Sequence, residues 1–436
     1  MNILLISTNT CNDPYVVYPL GMSVVAQALL AAGHCVKQFD LLASAKTAEL
    51  DQLVNDFNPE LIGISIRNVD SVNSMRENDH FIDNVTQVIK QLSTITSAEV
   101  FLGGPGFSLI PEAILAATGA DYGIAGEGEQ AVLALIDKIT AGQAVKYAIT
   151  SGRMSVPGGA AYDPELVKFY NSETHMIPVQ TKRGCSFNCV YCSYPQLEGR
   201  CFRPRDYEQV INEIRFLQNE CGVELIYFVD SVFNDPDGNY LELLRLMRDR
   251  KIVIPWVGFI SPYNLTREAV ELMVETGFCW ADVGGDGATD TTLKALGKQF
   301  TFEDIYNVCA LLREYNVSVS NSFMFGGPGE TATTVHEGIA NILRMDWVTS
   351  TVFPGIRIIP GTPLEKIAIK NGIIKPGQPL LDAVYYLEPG LTKNWLESTL
   401  TAGFAGAQCC IFPPHAKNEQ LQMIHKIGFK KFRALL

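Results

Sequence analysis

Residues Thr181–Pro195 read TKRGCSFNCVYCSYP and follow a strand-like run at Ile177–Thr181. Cys185, Cys189 and Cys192 form the pattern C-x3-C-x2-C. Three thiolates at this spacing can hold three irons of a cubane iron–sulfur cluster and leave the fourth iron to a ligand other than cysteine. Two other readings stay open on spacing alone: zinc completed by a distant Cys or His, and unrelated free thiols.

Downstream, strand-like runs recur at Leu225–Val229, Ile252–Val257, Trp280–Val283, Val317–Phe325 and Val352–Ile359, separated by helix-periodic stretches. Asp206, with Gln209 three residues on, signals a capped helix over VINEIRFLQ. With the run before the cysteines, this makes six βα units, too few for a closed eight-unit barrel, so a partial (β/α)6 barrel over 177–372 is expected. Loops beyond the carboxyl ends of its strands carry Asp230 and Asn234, then Asp282, Asp286 and Asp290, then GGPGET at Gly326–Thr331. Such a rim is either a site or an ordinary set of solvated turns.

Upstream, Ile3–Ile6, Val36–Phe39, Leu61–Ile66 and Val100–Leu102 alternate with helix-like stretches such as Met22–Ala32, closed by Gly33. The alternation predicts a Rossmann-like α/β domain over 1–145, with a mostly parallel sheet covered on both faces. Three loops follow its strands: Tyr18, Pro19, Leu20 and Gly21; Gly103, Gly104, Pro105, Gly106 and Phe107; and Gly126, Glu127, Gly128 and Glu129. None is a G-x-G-x-x-G signature, and each is either a plain turn or a ligand-facing edge. Residues 146–176 lose periodicity and read as an interdomain linker, and 373–436 as a small C-terminal capping region.

The composition narrows the partners. A chain of 436 residues, 47% hydrophobic and 19% charged, has material for two or more cores. A formal net charge of −13 gives no electrostatic reason to expect nucleic acid. Met1–Thr8 runs straight into a strand with no leader-like pattern, no apolar run is long enough to span a bilayer, and eleven cysteines do not form a disulfide framework. A cytoplasmic location is expected.

The cysteine loop, with aromatic Tyr191 before its last cysteine, resembles the radical S-adenosylmethionine superfamily. The resemblance implies a [4Fe-4S] cluster on Cys185, Cys189 and Cys192, with S-adenosylmethionine chelated at the open iron. GGDGATD at Gly284–Asp290 resembles the family segment beside that ligand, with Asp286 in place of the usual Glu, and FRPRD places Arg203 and Arg205 at the arginine-bearing segment after the cluster loop. Neutralisation of nearby carboxylates is the alternative for both arginines. PGET at Pro328–Thr331 is similar to a turn of the radical enzymes that carry an N-terminal cobalamin domain. PLG, GHCVKQFD, LIGIS, GGPG and GEGE make the first domain similar to that module.

That implies contacts to cobalamin from Tyr18, Leu20 and Gly21, from Gly103 to Gly106 and from Gly126 to Glu129. Tyr18 and Phe107 either face the corrin or pack inward. Gly106 stands where the family often has His, leaving space for the corrin. The D-x-H-x-x-G cobalt-ligating signature is absent: His34 has no Asp two residues before it, and His425 precedes Gly428 but follows Met423. Cobalamin-dependent radical methylation of an unactivated carbon is implied, on a small metabolite, lipid or natural-product intermediate, with an external electron donor such as flavodoxin or ferredoxin. Cyclisation or rearrangement without net methylation, and cobalamin binding without catalysis, are the alternatives. Cys409 and Cys410 read either as ordinary buried thiols or as substrate-side groups.

Overall fold

The computed structural model describes residues 1–12, 14–44, 48–76, 81–417, 419, 422 and 423, so His425 and Gly428 lie outside the described residues. Two parallel sheets organise the chain. The first runs β1 (Asn2–Ser7), β2 (Cys35–Asp40), β3 (Leu61–Ser65), β4 (Glu99–Gly103), β5 (Tyr122–Gly126) and β6 (Ala148–Gly152), in the order β2-β1-β3-β4-β5-β6. Along β1, Ile3 and Leu5 enter one apolar core and Leu4 and Ile6 the other, as period-two alternation requires of a strand covered on both faces. The order reverses between β1 and β3, which pair from Ile3↔Leu61 to Ser7↔Ser65. A crevice beyond the carboxyl ends of strands at such a reversal is where doubly wound sheets bind ligands.

The second sheet contains β7 (Met176–Val179), β8 (Leu225–Phe228), β9 (Trp256–Ile260), β10 (Phe278–Asp286), β11 (Ser318–Phe325), β12 (Thr349–Pro354) and β13 (Cys410–Ile411), neighbouring one another in sequence order and all parallel. The six expected strands form an open barrel. Its fourth strand, β10, buries Phe278, Ala281 and Val283 in the surrounding core. The third strand begins four residues later than the apolar run suggests. Pro255 has no N–H to give a ladder, and Ile252 donates its own N–H back to Met247.

Two stretches depart from the expectation. Ala148–Gly152, read as linker, pairs in register with Tyr122–Gly126 as the sixth strand of the first sheet. The same stretch contains helix Pro164–Thr174, capped by Asp163, whose carboxylate accepts from the Glu165 and Leu166 N–H groups at 3.0 and 3.1 Å. In the C-terminal region Cys410–Ile411 adds a seventh strand beside Ser350–Thr351.

Buried polar bonds lock the two halves together. Tyr170 donates to Asp40 Oδ1 at 3.1 Å, and Arg183 pairs with Glu129 at 2.8 Å. Arg357 pairs with Asp70 at 2.9 Å while also donating to the carbonyls of Ile358 and Leu380. Because each charge is both paired and hydrogen-bonded, these contacts favour one docking geometry, and a slip would strand a buried charge. Among the described residues no helix is long and apolar enough to cross a membrane.

Candidate active site

Thr181 and Lys182 leave β7 tied to Asp230, which accepts from both their backbone N–H groups, at 2.7 and 3.2 Å, and from the Lys182 ammonium at 3.2 Å. The loop then turns through the cysteines. Cys185 N–H donates to the Gly199 carbonyl at 3.0 Å and Val190 N–H to the Leu296 carbonyl at 3.0 Å, so both ends of the loop are held by backbone. Gly297 packs against it closely enough that a Cβ there would lie 2.4 Å from the Asn188 carbonyl oxygen.

Cys185, Cys189 and Cys192 line one cavity of about 660 Å³. Burial raises the Cys185 thiol, and the adjacent Cys189 sulfur adds to it. Burial, with Cys189 and Cys185 nearby, pushes the Cys192 thiol up to about 12. Backbone N–H groups of Phe187 and Tyr194 point at the Cys185 and Cys192 sulfurs. Two thiols whose ionisation is opposed by burial and by neighbouring sulfur, each with an N–H donor aimed at it, fit a cationic iron core that takes thiolates in place of protons. Among the described residues no three His, Cys, Asp or Glu side chains converge as ligands for a single ion. A cubane needs no such convergence, since its thiolates bind different irons.

Beside the cysteines stands a group the sequence reading did not single out. Lys298 contacts the Asp286 carboxylate and donates to the Gly284 carbonyl at 3.2 Å, and Tyr191 donates to the same Asp286 oxygen at 2.5 Å. Burial opposes the charge on Lys298, but Asp286 and then the Cys189 and Cys192 sulfurs outweigh it and raise the ammonium. Asp286, at φ +62°, is thereby turned back onto the aromatic residue of the cysteine motif. Its carboxylate, beside the cysteine loop, is already partnered by a cation and a phenol, so its free acceptor capacity is small.

The remaining expected contacts sort differently. Arg203 grips Glu127, which also accepts from the Met154 N–H at 2.6 Å, and Arg205 forms a two-point pair with Glu213. Both arginines are thus paired with carboxylates, as the charge-neutralising alternative expects. Glu127 and Glu129, expected at cobalamin, are instead buried against Arg203 and Arg183. Tyr18 packs inward, the second of the two readings left open for it: it is buried against Tyr162 and Tyr170, with its oxygen bonded to Ser23 at 2.7 Å and to the Asp163 N–H at 3.1 Å. Leu20 and Gly21 form the first turn of helix Leu20–Ala31, Leu20 packing onto the barrel core and Gly21 exposed.

In the second loop Phe107 is fully buried and Pro105 starts a short helix. The space expected at Gly106 is filled, since a Cβ there would meet Ile66 at 3.0 Å, and Gly104 lies against the same residue. Gly126 and Gly128 pack on Gly152 and Val25. Gly103 alone of these glycines combines a place at a strand end with open room, since a Cβ there would meet nothing nearer than the Ile124 carbonyl oxygen at 3.8 Å. Asn9, after β1 at the strand-order reversal, has a buried side-chain Nδ2 with no hydrogen-bond partner among the described residues. An unsatisfied donor beside an open strand end fits a polar ligand in that crevice.

The barrel-rim residues divide as well. Asn234 exchanges hydrogen bonds with Ser261, and Asp290 accepts from the Phe302 N–H at 2.8 Å; both serve the fold. GGPGET does not line the cavity. Glu330 turns back onto the Gly326 N–H, Gly329 bonds Glu388, and Thr331 caps the next helix. Burial lifts Glu330 to about 7 from an ordinary 4.5. A carboxyl whose folded value is raised stabilises the fold fully below its unfolded value and loses that contribution as pH rises through the folded one. Unfolding free energy should fall by up to about 3 kcal/mol through this group as pH rises across that interval. Glu330→Gln should flatten the slope, as checked by urea unfolding at both limits; an unchanged slope would refute the assignment.

The cavity has a second wall from the first domain, with Tyr15, Asn68, Asn73 and Arg76, and a third from the C-terminal region, with Ile411, Pro414 and His415. Cys409 and Cys410 are not on it; their sulfurs lie 3.7 Å apart, with Cys410 buried on β13.

A model of the B12 binding domain matches residues 7–136, and a model of the radical SAM superfamily matches 179–339. An uncharacterized methyltransferase of Pyrococcus horikoshii is 24% identical over 404 residues, 87% of this chain and 81% of the relative. Tryptophan 2-C-methyltransferase of Streptomyces laurentii is 24% identical over 458 residues, 84% and 74% of the two chains. The structure of the radical S-adenosylmethionine methyltransferase TsrM from Kitasatospora setae, with tryptophan and a SAM analogue bound, superposes with a TM-score of 0.86 at 22% identity, covering 98% of this chain and 95% of that one. With a B12-binding domain in the first sheet and a radical SAM domain carrying the cysteine loop in the second, the chain belongs to the cobalamin-binding radical S-adenosylmethionine enzyme superfamily.

Proposed function

We propose that this enzyme is a cobalamin-dependent methyltransferase acting on a small molecule held in the cavity between its two sheets. The observation that carries the reading is that the cysteine loop and the first domain's Tyr15 and Asn68–Arg76 segments line the same cavity. The bound groups would supply one-electron cleavage of a sulfonium and carriage of a methyl group. Cys185, Cys189 and Cys192 would hold the cluster, and Asn9 and Gly103 would border the cobalamin crevice. Lys298 and Asp286 fix Tyr191 and so set the loop, while Phe259, Trp280 and Phe353 keep the cavity wall apolar and limit water. The relatives named above support methyl transfer over cyclisation, rearrangement or binding alone. An external one-electron donor of the flavodoxin or ferredoxin class belongs to the same proposal.

The test is incubation of the reconstituted enzyme with methyl-labelled S-adenosylmethionine, a reductant and candidate small molecules. Label in a product carbon is expected. A modified product without label would point to cyclisation or rearrangement and end the proposal.

A further inference from the structure

Two carboxylates of β10 line the cavity, and among the described residues only one is matched by a cation. Trp280, Asp282, Gly284 and Asp286 occupy alternate positions of the strand and all reach the cavity wall. Asp286 is paired with Lys298. Asp282 has hydroxyl partners instead: Tyr227 donates to Oδ2 at 2.7 Å, and Ser320 to Oδ1. Among the described residues it makes no ion pair with Lys, Arg or His.

Its surroundings are aromatic. Tyr227 and Phe259 lie with ring centroids 5.4 Å apart, and the Trp280 Nε1 donates to Ser320 Oγ at 2.8 Å, so the indole and the carboxylate share one hydroxyl. Rings and an uncompensated carboxylate together favour a cation: the ring faces attract it and the carboxylate supplies the opposite charge. A substrate carboxylate at this position would face like charge.

We propose that the cavity selects substrates bearing a positively charged amine, with Asp282 as the counter-ion and Tyr227, Phe259 and Trp280 as the walls around that nitrogen. This rests on the methyl-transfer reading only in calling the occupant a substrate. Asp282 is a specificity residue here, and Tyr227 and Ser320 position it. Burial raises Asp282 against the hydroxyls of Ser320 and Tyr227, and a bound ammonium would favour its charged form.

The test compares binding of three probes of like size and different charge to the cofactor-reconstituted enzyme: 2-(naphthalen-1-yl)ethylamine, the corresponding alcohol, and 3-(naphthalen-1-yl)propanoate. The amine should bind at least ~10-fold more tightly than the alcohol, and the carboxylate most weakly. In Asp282→Asn the amine and alcohol should converge, with the amine losing the larger share. The comparison within the unmodified enzyme stands even where the variant folds poorly. Equal binding of amine and alcohol, or tighter binding of the carboxylate, would overturn the proposal. Equal probe binding alongside label transfer into a product would remove the amine site and leave the reaction; an amine preference without label transfer would do the reverse.

Discussion

Cys189→Ala should lose at least ~10³-fold in cleavage of S-adenosylmethionine while folding almost normally, because a residue that works as one member of a unit takes the whole unit with it. Cys189 is half-buried, and the loop around it is held by backbone contacts at Cys185, Val190 and Gly297, none of which needs its sulfur. Truncation therefore removes one of the three proposed cluster anchors and little packing. The contrast is Cys309→Ala. That cysteine is fully buried in the barrel core and does not line the cavity, so its loss should lower stability by about 1–2 kcal/mol and leave turnover of the remaining folded protein intact. Iron and sulfide content, 5′-deoxyadenosine release and urea unfolding measured on both variants separate the roles. Full iron content and normal sulfonium cleavage in Cys189→Ala would remove it from the cluster.

Those cysteines were legible because their spacing is local; what completes the site is not. The barrel strands were readable for a related reason: LIYF at Leu225–Phe228 is a continuous apolar run, as a strand buried on both faces should be, and SVSNSFMF at Ser318–Phe325 keeps Val319, Phe323 and Phe325 at period-two spacing. The strand Ala148–Gly152 was not readable, since AITSG is short and half-exposed at a sheet edge. Cys410–Ile411 escaped notice for the same reason, being two residues long.

At the site the difference is between sequence neighbours and neighbours across strands. Lys298 meets Asp286 only because the chain reverses through a short helix between them, and Tyr191 reaches that carboxylate across 95 residues. Likewise GEGE and FRPRD were each visible as charged segments near strand ends. That Arg203 would close on Glu127, 76 residues away, depends on how the two sheets dock. Motif resemblance assigned both segments to the cofactors; where the two sheets dock, Arg203 meets Glu127, while Arg205 pairs with Glu213 and Glu129 with Arg183.

Asp230→Ala should cost about 3–5 kcal/mol of stability, the scale for removing one partner of a buried ion pair. The carboxylate is fully buried and accepts from Thr181 N–H, Thr181 Oγ, Lys182 N–H and the Lys182 ammonium. Truncation leaves the backbone donors at the base of the cluster loop without acceptors. Lys182, itself fully buried, would keep the Phe233 carbonyl at 2.7 Å, Asp235 at 3.4 Å and the face of the Phe233 ring. Because those contacts retain part of its stabilisation, Asp230→Asn, which preserves an acceptor but not the charge, should cost less than the alanine change, about 1–2 kcal/mol. Lys182→Met combined with Asp230→Ala should recover part of the loss, giving a favourable coupling in a double-mutant cycle. The pair sits immediately before Gly184 and Cys185, so cluster retention should fall in the order wild type, Asn, Ala even at temperatures where all three remain folded. Chemical unfolding and iron content measured together check both parts. An alanine variant within about 1 kcal/mol of wild type would show that water or Asp235 takes over the acceptor role, and that the base of the loop does not depend on Asp230.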